Sequence, residues 1–168
     1  MDIAGEYRIP AAREAVWAAL NDPAVLARCI PGCKELEQVS PEEMKAKVSL
    51  KIGPVSATFA GTVRLEDVRP PEGYTLTGQG NGGMAGFAKG RAAVSLAGEG
   101  AETVLTYTAK AEIGGKIATL GGRLMQSTSR KLADEFFGKF AAEFGAAGVV
   151  SAEADTGSAS ENATKAML

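Results

Sequence analysis

The chain opens with a weak alternation, Ile3, Gly5, Tyr7 and Ile9 against Ala4, Glu6 and Arg8, that stops at Pro10 and predicts a short first strand. The period then lengthens. Ala15, Val16, Ala19 and Leu20, with Trp17, form an apolar stripe over two helical turns. Asn21-Asp22-Pro23 breaks that stripe and predicts Asp22 as N-cap and Pro23 as first residue of a second short helix running to Cys29. Ile30-Pro31-Gly32 closes the helical pair.

From Lys34 the period is two. Leu36 and Val39, then Met44, Ala46, Val48, Leu50 and Ile52, oppose Lys45, Lys47, Ser49 and Lys51. One apolar and one charged face is the mark of a half-buried antiparallel strand. Gly53-Pro54 reads as a tight turn, and Val55 to about Glu66 alternates as one long strand. Further strands are expected over Tyr74–Gln79, Ala88–Leu96 and Thr103–Ile113, and the glycine-rich Gly80–Gly86 is expected to be a flexible connection. After Gly114-Gly115 apolar residues recur at every fourth position, Leu120, Leu124, Thr128, Leu132, Phe136, Phe140 and Phe144. This predicts an amphipathic helix of about 25 residues, or roughly 38 Å. From Gly145 periodicity gives way to Ala, Ser, Gly, Thr and acids, so the expected organisation is one domain over residues 1–150 and a disordered tail over 151–168.

Strand, two short helices, six more antiparallel strands and a long final helix make an α+β chain. Its curved sheet of about seven strands must bury its apolar face against that helix, which is a helix-grip arrangement. Small residues over the middle of that face, Ala46, Ala57, Gly61, Gly78, Ala109 and Ala111, would create volume rather than fill it. The expected lining of an apolar cavity is Trp17, Ile30, Phe59, Gly61, Met84, Phe87 and Tyr107, with Leu120, Leu124, Met125 and Thr128 from the helix. The bulkier Leu132, Phe136, Phe137 and Phe140 are expected to pack as solid core.

Composition narrows the chemistry. The chain has no His, which removes the commonest general base and metal ligand. With 18 Lys and Arg against 20 Asp and Glu it has no overall basic field for nucleic acid. Cys29 and Cys33 are too few for a disulfide framework or a zinc site. Gly80-Asn81-Gly82-Gly83 lacks the βαβ context and the Lys-Ser/Thr of a phosphate-binding loop. Glu112 falls on a solvated face, Asp67 beside a turn, and Tyr107 alone does not make an acid–base pair, so catalysis is not expected. No leader or membrane span is legible, and the expected location is cytoplasmic.

The order of these elements carries Ile30-Pro31-Gly32-Cys33, Lys51-Ile52-Gly53-Pro54-Val55 with Phe59-x-Gly61, Gly114 to Gly121, and Leu132-Ala133-Asp134-Glu135-Phe136-Phe137. Together these resemble the CoxG family of carbon monoxide dehydrogenase subunits over residues 1 to about 145. The resemblance implies the START/polyketide-cyclase superfamily and an accessory protein of a molybdenum hydroxylase such as carbon monoxide dehydrogenase. It also implies a respiratory quinone such as menaquinone as a non-covalent ligand in the pocket, and peripheral or transient contact with the inner face of the cell membrane. The expected function is therefore a lipophilic-cofactor carrier. Two alternatives stand beside it: an adaptor that recruits the dehydrogenase through its surface, and a cyclase-like enzyme.

Overall fold

The computed structural model describes residues 1–145 of the chain, so the expected tail and the boundary near Val150 lie outside the described residues. The element order is β1 (Asp2–Ile9), α1 (Arg13–Leu20), α2 (Pro23–Cys29), β2 (Cys33–Ser40), β3 (Glu43–Ile52), β4 (Val55–Arg69), β5 (Gly73–Asn81), β6 (Phe87–Glu99), β7 (Glu102–Gly114) and α3 (Gly122–Ala142). All seven strands form one antiparallel sheet in the order β1-β7-β6-β5-β4-β3-β2. The helical pair forms where the sequence places it, with the Asp22 carboxylate accepting from Ala24 N at 2.9 Å and Pro23 opening α2.

Both halves of the sheet reach the same helix. On one side the Tyr7 hydroxyl donates to Asp134 at 2.6 Å, and Gln126 and Arg130 donate to the Asp2 and Ala4 carbonyls of β1. On the other, the β3–β4 turn stands under α3, where a Cβ at Gly53 would lie 3.0 Å from Leu124. The sheet thus curls around α3. Near its C-terminal end the helix is tied to α2 by the Arg28–Glu143 ion pair at 2.7 Å.

The structure differs from the sequence reading in three places. Strands are longer than expected, because ladder pairing continues through Gly73, Asn81, Glu99 and Arg69, where turn-forming residues suggest an end. The Gly80–Gly86 stretch is not a loose connection: Gly83–Ala85 is a 3-10 turn closed by Gly82 N donating to Gly86 O at 2.8 Å and Gly83 N donating to Asn81 Oδ1 at 2.8 Å. The final helix is 21 residues long rather than about 25, because Lys116–Leu120 forms a separate 3-10 turn and Gly121, at φ 100°, breaks the path between them. Leu120 is therefore a residue of that turn and not of the helix.

Candidate functional site

Register decides what the concave face offers. One row across the sheet runs Leu36, Ala46, Gly61, Gly80, Ala88 and Ile113 on β2 through β7, and the next runs Met44, Val63, Gly78, Gly90 and Ala111 on β3 through β7. Ala92 and Ala109 face each other in the row beyond. The middle of the sheet is thus floored by alanine and glycine. None of these small residues is fully buried.

Bulky side chains gather on either side of that floor in two separate clusters. The first, around Ile9, Val16, Tyr74, Leu96, Leu105 and Phe140, lies where α1, α2 and the C-terminal half of α3 meet the sheet. Here Trp17 packs on Tyr74 at 5.5 Å, and Phe136, Phe137, Phe140 and Phe144 form a chain of ring contacts. The second comprises Ile52, Val55, Ala85, Ile117 and Met125, with Phe59, Leu50 and Leu120 packed against it. The helix repeats this division. At about 100° per residue, Met125, Ser129, Ala133, Phe136 and Phe140 share one face. Its ends are bulky and buried, and its middle holds only Ser129 and Ala133, both half-buried. Small residues of the helix thus stand over small residues of the sheet.

The polar groups around this interval are few. Tyr107, beside Ala109 on β7, lies over Gly5, whose Cβ would stand 2.7 Å from the ring. Tyr107 stacks with Phe137 at 5.8 Å, and its buried hydroxyl has no hydrogen-bond partner. Burial pushes the Tyr107 phenol above its ordinary range, and burial together with the Asp134 bond does the same for Tyr7. Both phenols are neutral donors at physiological pH. A separate cleft of about 330 Å³ opens beside α3, where Thr128, Lys131 and Leu132 face Gly32, Leu50 and Ile52. The larger hollows, of about 660 and 640 Å³, have mixed linings in which Lys110 and Arg91 of the outer face stand beside Gly78, Gly90 and Ala111 in one and Ile3 and Ala109 in the other.

The expected site residues separate accordingly. Gly61 belongs to the small-residue floor, and Phe59 and Met125 stand at its edge in the second cluster. Tyr107 and Trp17 belong to the first cluster. Ile30 caps α2 and is half-buried. Leu120 packs against the second cluster, Leu124 meets the β3–β4 turn, and Thr128 faces the side cleft. Two residues point away from the interior. Met84 is 94% exposed at the apex of its turn, and Phe87, on the outer face opposite Gly114, is 44% exposed. Sequence reasoning missed Ser129, Ala133, Gly80, Ala88, Gly90 and Ala92. Strand register would have found Gly80, Gly90 and Ala92, since each faces a residue already recognised as small, and then Ala88, which faces Gly80.

Other chemistry has little support among the described residues. Asp67 is exposed at φ 51°, and Glu112 pairs with Lys89 on the outer face at 3.7 Å. Cys29 and Cys33 form no disulfide, and burial raises both thiols.

The model of the family described as the CoxG subunit of carbon monoxide dehydrogenase matches residues 5–145. The chain belongs to the CoxG family. Among solved structures it is similar to a conserved protein from Geobacillus kaustophilus, at 33% identity and a TM-score of 0.81, covering 85% of this chain and 94% of that one. A START superfamily protein from Mycobacterium smegmatis shares 12% identity at a TM-score of 0.63, with 84% and 95% covered. The Zhui aromatase/cyclase from a Streptomyces species shares 11% identity at 0.59, with 85% and 92% covered. These last two show the fold alone, and it is the START-like helix-grip fold that the sequence predicts. No significant match was found among curated proteins. No helix of the described residues is long and apolar enough to cross a membrane.

Proposed function

We propose that this CoxG-family protein is a carrier that holds a lipophilic ligand, a respiratory quinone of the menaquinone type, between its sheet and α3. It serves a molybdenum-containing carbon monoxide dehydrogenase or a related hydroxylase. The observation that carries the reading is the division of the core into two clusters, with an alanine and glycine floor beneath Ser129 and Ala133 between them. A quinone suits such an interval. Its isoprenoid chain needs apolar contact, at about 0.8 kcal/mol per buried CH₂, and no charged anchor. Its ring carbonyls need donors, and two hydroxyls are on hand: Tyr107 Oη, buried without a partner, and Ser129 Oγ, which donates to Met1 Sδ at 3.8 Å. The side cleft lined by Leu50, Ile52 and Thr128 is the entrance this reading assigns. As a carrier, the protein needs no catalytic residue.

The test fills the interval. Ala92→Phe and Ala111→Phe each add a ring to the floor between the two clusters. In protein purified from its own host, solvent extraction and native mass spectrometry should find a stoichiometric quinone with the parent chain and at least about tenfold less with either variant. The variants should keep their stability, since a ring placed in open space does not overpack. A loss of about 1–3 kcal/mol would mean a closed core at that place. A parent chain that leaves its host without lipophile, and takes up no added menaquinone, refutes the carrier reading. Variants that exclude the quinone yet still support the dehydrogenase would assign the work to the protein's surface.

A further inference from the structure

One buried polar group is left over once the packing of the sheet and α3 is complete. Tyr107 is 8% exposed, and its hydroxyl has no hydrogen-bond partner. Gly5 on the neighbouring strand makes room for it, since a Cβ there would stand 2.7 Å from the ring and 3.2 Å from the hydroxyl. The polar groups that act on this phenol are Tyr7, Arg130 and Asp134, and each is already engaged. Tyr7, whose ring lies parallel to that of Tyr107, has a single proton and gives it to Asp134 at 2.6 Å. Arg130 donates to the Ala4 carbonyl at 3.3 Å, and Asp134 stands exposed on α3. A hydroxyl buried without an acceptor costs stability, so this one calls for a partner from outside the chain.

Counting protons shows what that partner can be. Tyr107 offers one O–H, and burial keeps the phenol neutral. A ligand carbonyl is an acceptor only, so the two close with one bond and nothing over. A ligand hydroxyl brings a second O–H. Two hydroxyls facing each other share one bond, and the remaining proton stays buried without an acceptor unless a third group takes it. The neighbouring groups are poorly placed to do so: Asp134 accepts from Tyr7 and faces solvent, and Ser129 donates to Met1 Sδ at 3.8 Å. One unmade bond of this kind shifts a binding equilibrium by roughly 5- to 150-fold.

We infer that Tyr107 makes the site selective for the oxidised form of its ligand, holding a quinone in preference to the corresponding hydroquinone. The inference rests on the carrier reading and deepens it, because it gives the traffic a direction. When a reduced dehydrogenase passes two electrons to the bound quinone, and two protons follow from water, the enzyme is reoxidised and each C=O becomes C–OH. The acceptor matched to Tyr107 thereby becomes a donor that Tyr107 cannot satisfy. The product is held less tightly than the substrate, and exchange runs toward a fresh quinone.

Anaerobic competition binding to the full chain tests it, with menaquinone and the same compound reduced by borohydride as the probes. The parent should hold the quinone at least about fivefold more tightly than the hydroquinone. Equivalently, the midpoint potential of the bound couple should lie below that of the free couple, by about 30 mV for each tenfold of preference. Tyr107→Phe should bind the quinone more weakly and the hydroquinone about as well, so that the preference falls to within about twofold while the variant melts with the parent. The parent's own ratio is read without any substitution, so the test stands whatever the variant's fold. A parent that binds both forms equally overturns the inference and leaves the carrier reading standing. A folded Tyr107→Phe that keeps the parent's preference overturns it as well, since the choice is then made elsewhere. A parent that binds neither form refutes the carrier reading and this inference with it.

Discussion

The two ends of this molecule are built to different specifications. Where α1, α2 and the C-terminal half of α3 close on the sheet, 12 buried residues and a run of stacked rings make a thick core that includes Phe140, Ile9 and Leu105. At the opposite end five buried residues hold three turns together, and positive-φ glycines at 53, 83, 86, 115 and 121 stand in or beside those turns. Stability is a local quantity, and elements with few buried contacts open at lower cost than the core. On the carrier reading, the difference teaches how a small fold can retain a ligand and still exchange it: one end fixes the structure, and the other has fewer buried contacts to break on opening.

The largest expected effect breaks the thick end. Phe140→Ala removes a ring with no exposure from the middle of the aromatic chain and should cost about 3–5 kcal/mol, read from urea unfolding. Met125→Ala at the thin end should cost less, about 2 kcal/mol, because the surrounding turns can settle into the space. Amide exchange should sharpen the contrast. In the parent, amides of Gly82–Gly86 and Lys116–Leu120 should exchange well before those of β6 and β7 around Val94 and Leu105, and Met125→Ala should widen that gap while leaving the core amides unchanged. Equal costs for the two variants would mean that the clusters unfold as one body.

A smaller effect separates the two phenols beside the floor. Tyr7→Phe removes the 2.6 Å bond to Asp134 and should cost about 1 kcal/mol. Tyr107→Phe removes a buried hydroxyl that has no partner, and should leave the ligand-free protein within about 0.5 kcal/mol of the parent or slightly more stable. If Tyr107→Phe instead costs as much as Tyr7→Phe, its hydroxyl is bonded in solution and is not available to a quinone carbonyl.

The sequence made the sheet legible because Leu36 through Ile113 alternate with few interruptions, and Asp22-Pro23 marks α2 by capping chemistry that acts within four residues. The helix face was less legible for a geometric reason. A stripe at every fourth residue advances about 400° per step, so it drifts about 40° each time. Leu124 and Thr128 therefore stand well around the helix from Phe140, at the β3–β4 turn and the side cleft, while the less conspicuous Ser129 and Ala133 share its face. The break at Gly121 was hidden likewise, since Leu120 and Leu124 keep the spacing across it. Met84 and Phe87 read as lining because they are apolar and lie near glycines. Only register shows that Phe87 stands opposite Gly114 on the outer face, and only the closed turn shows where Met84 points.

The smallest effect concerns the seam that secures the thick end. Arg28 donates to both Glu143 carboxylate oxygens, at 2.7 and 3.0 Å, and the bonds from this guanidinium hold the carboxyl below its ordinary range. A carboxylate whose folded value is depressed adds stability that is present above its unfolded value and is lost as pH falls through the folded one. Glu143→Gln should therefore melt slightly below the parent at neutral pH, by no more than about 2 °C because the pair is open to solvent. The two melting curves should converge in acid, as the parent's carboxylate is protonated while Arg28 keeps its charge. If the gap persists in acid well below the ordinary glutamate range, where the carboxylate is protonated in the folded chain as well as the unfolded one, Glu143 contributes through packing at the α2–α3 seam rather than through its charge. The comparison would then rest on contact at both ends.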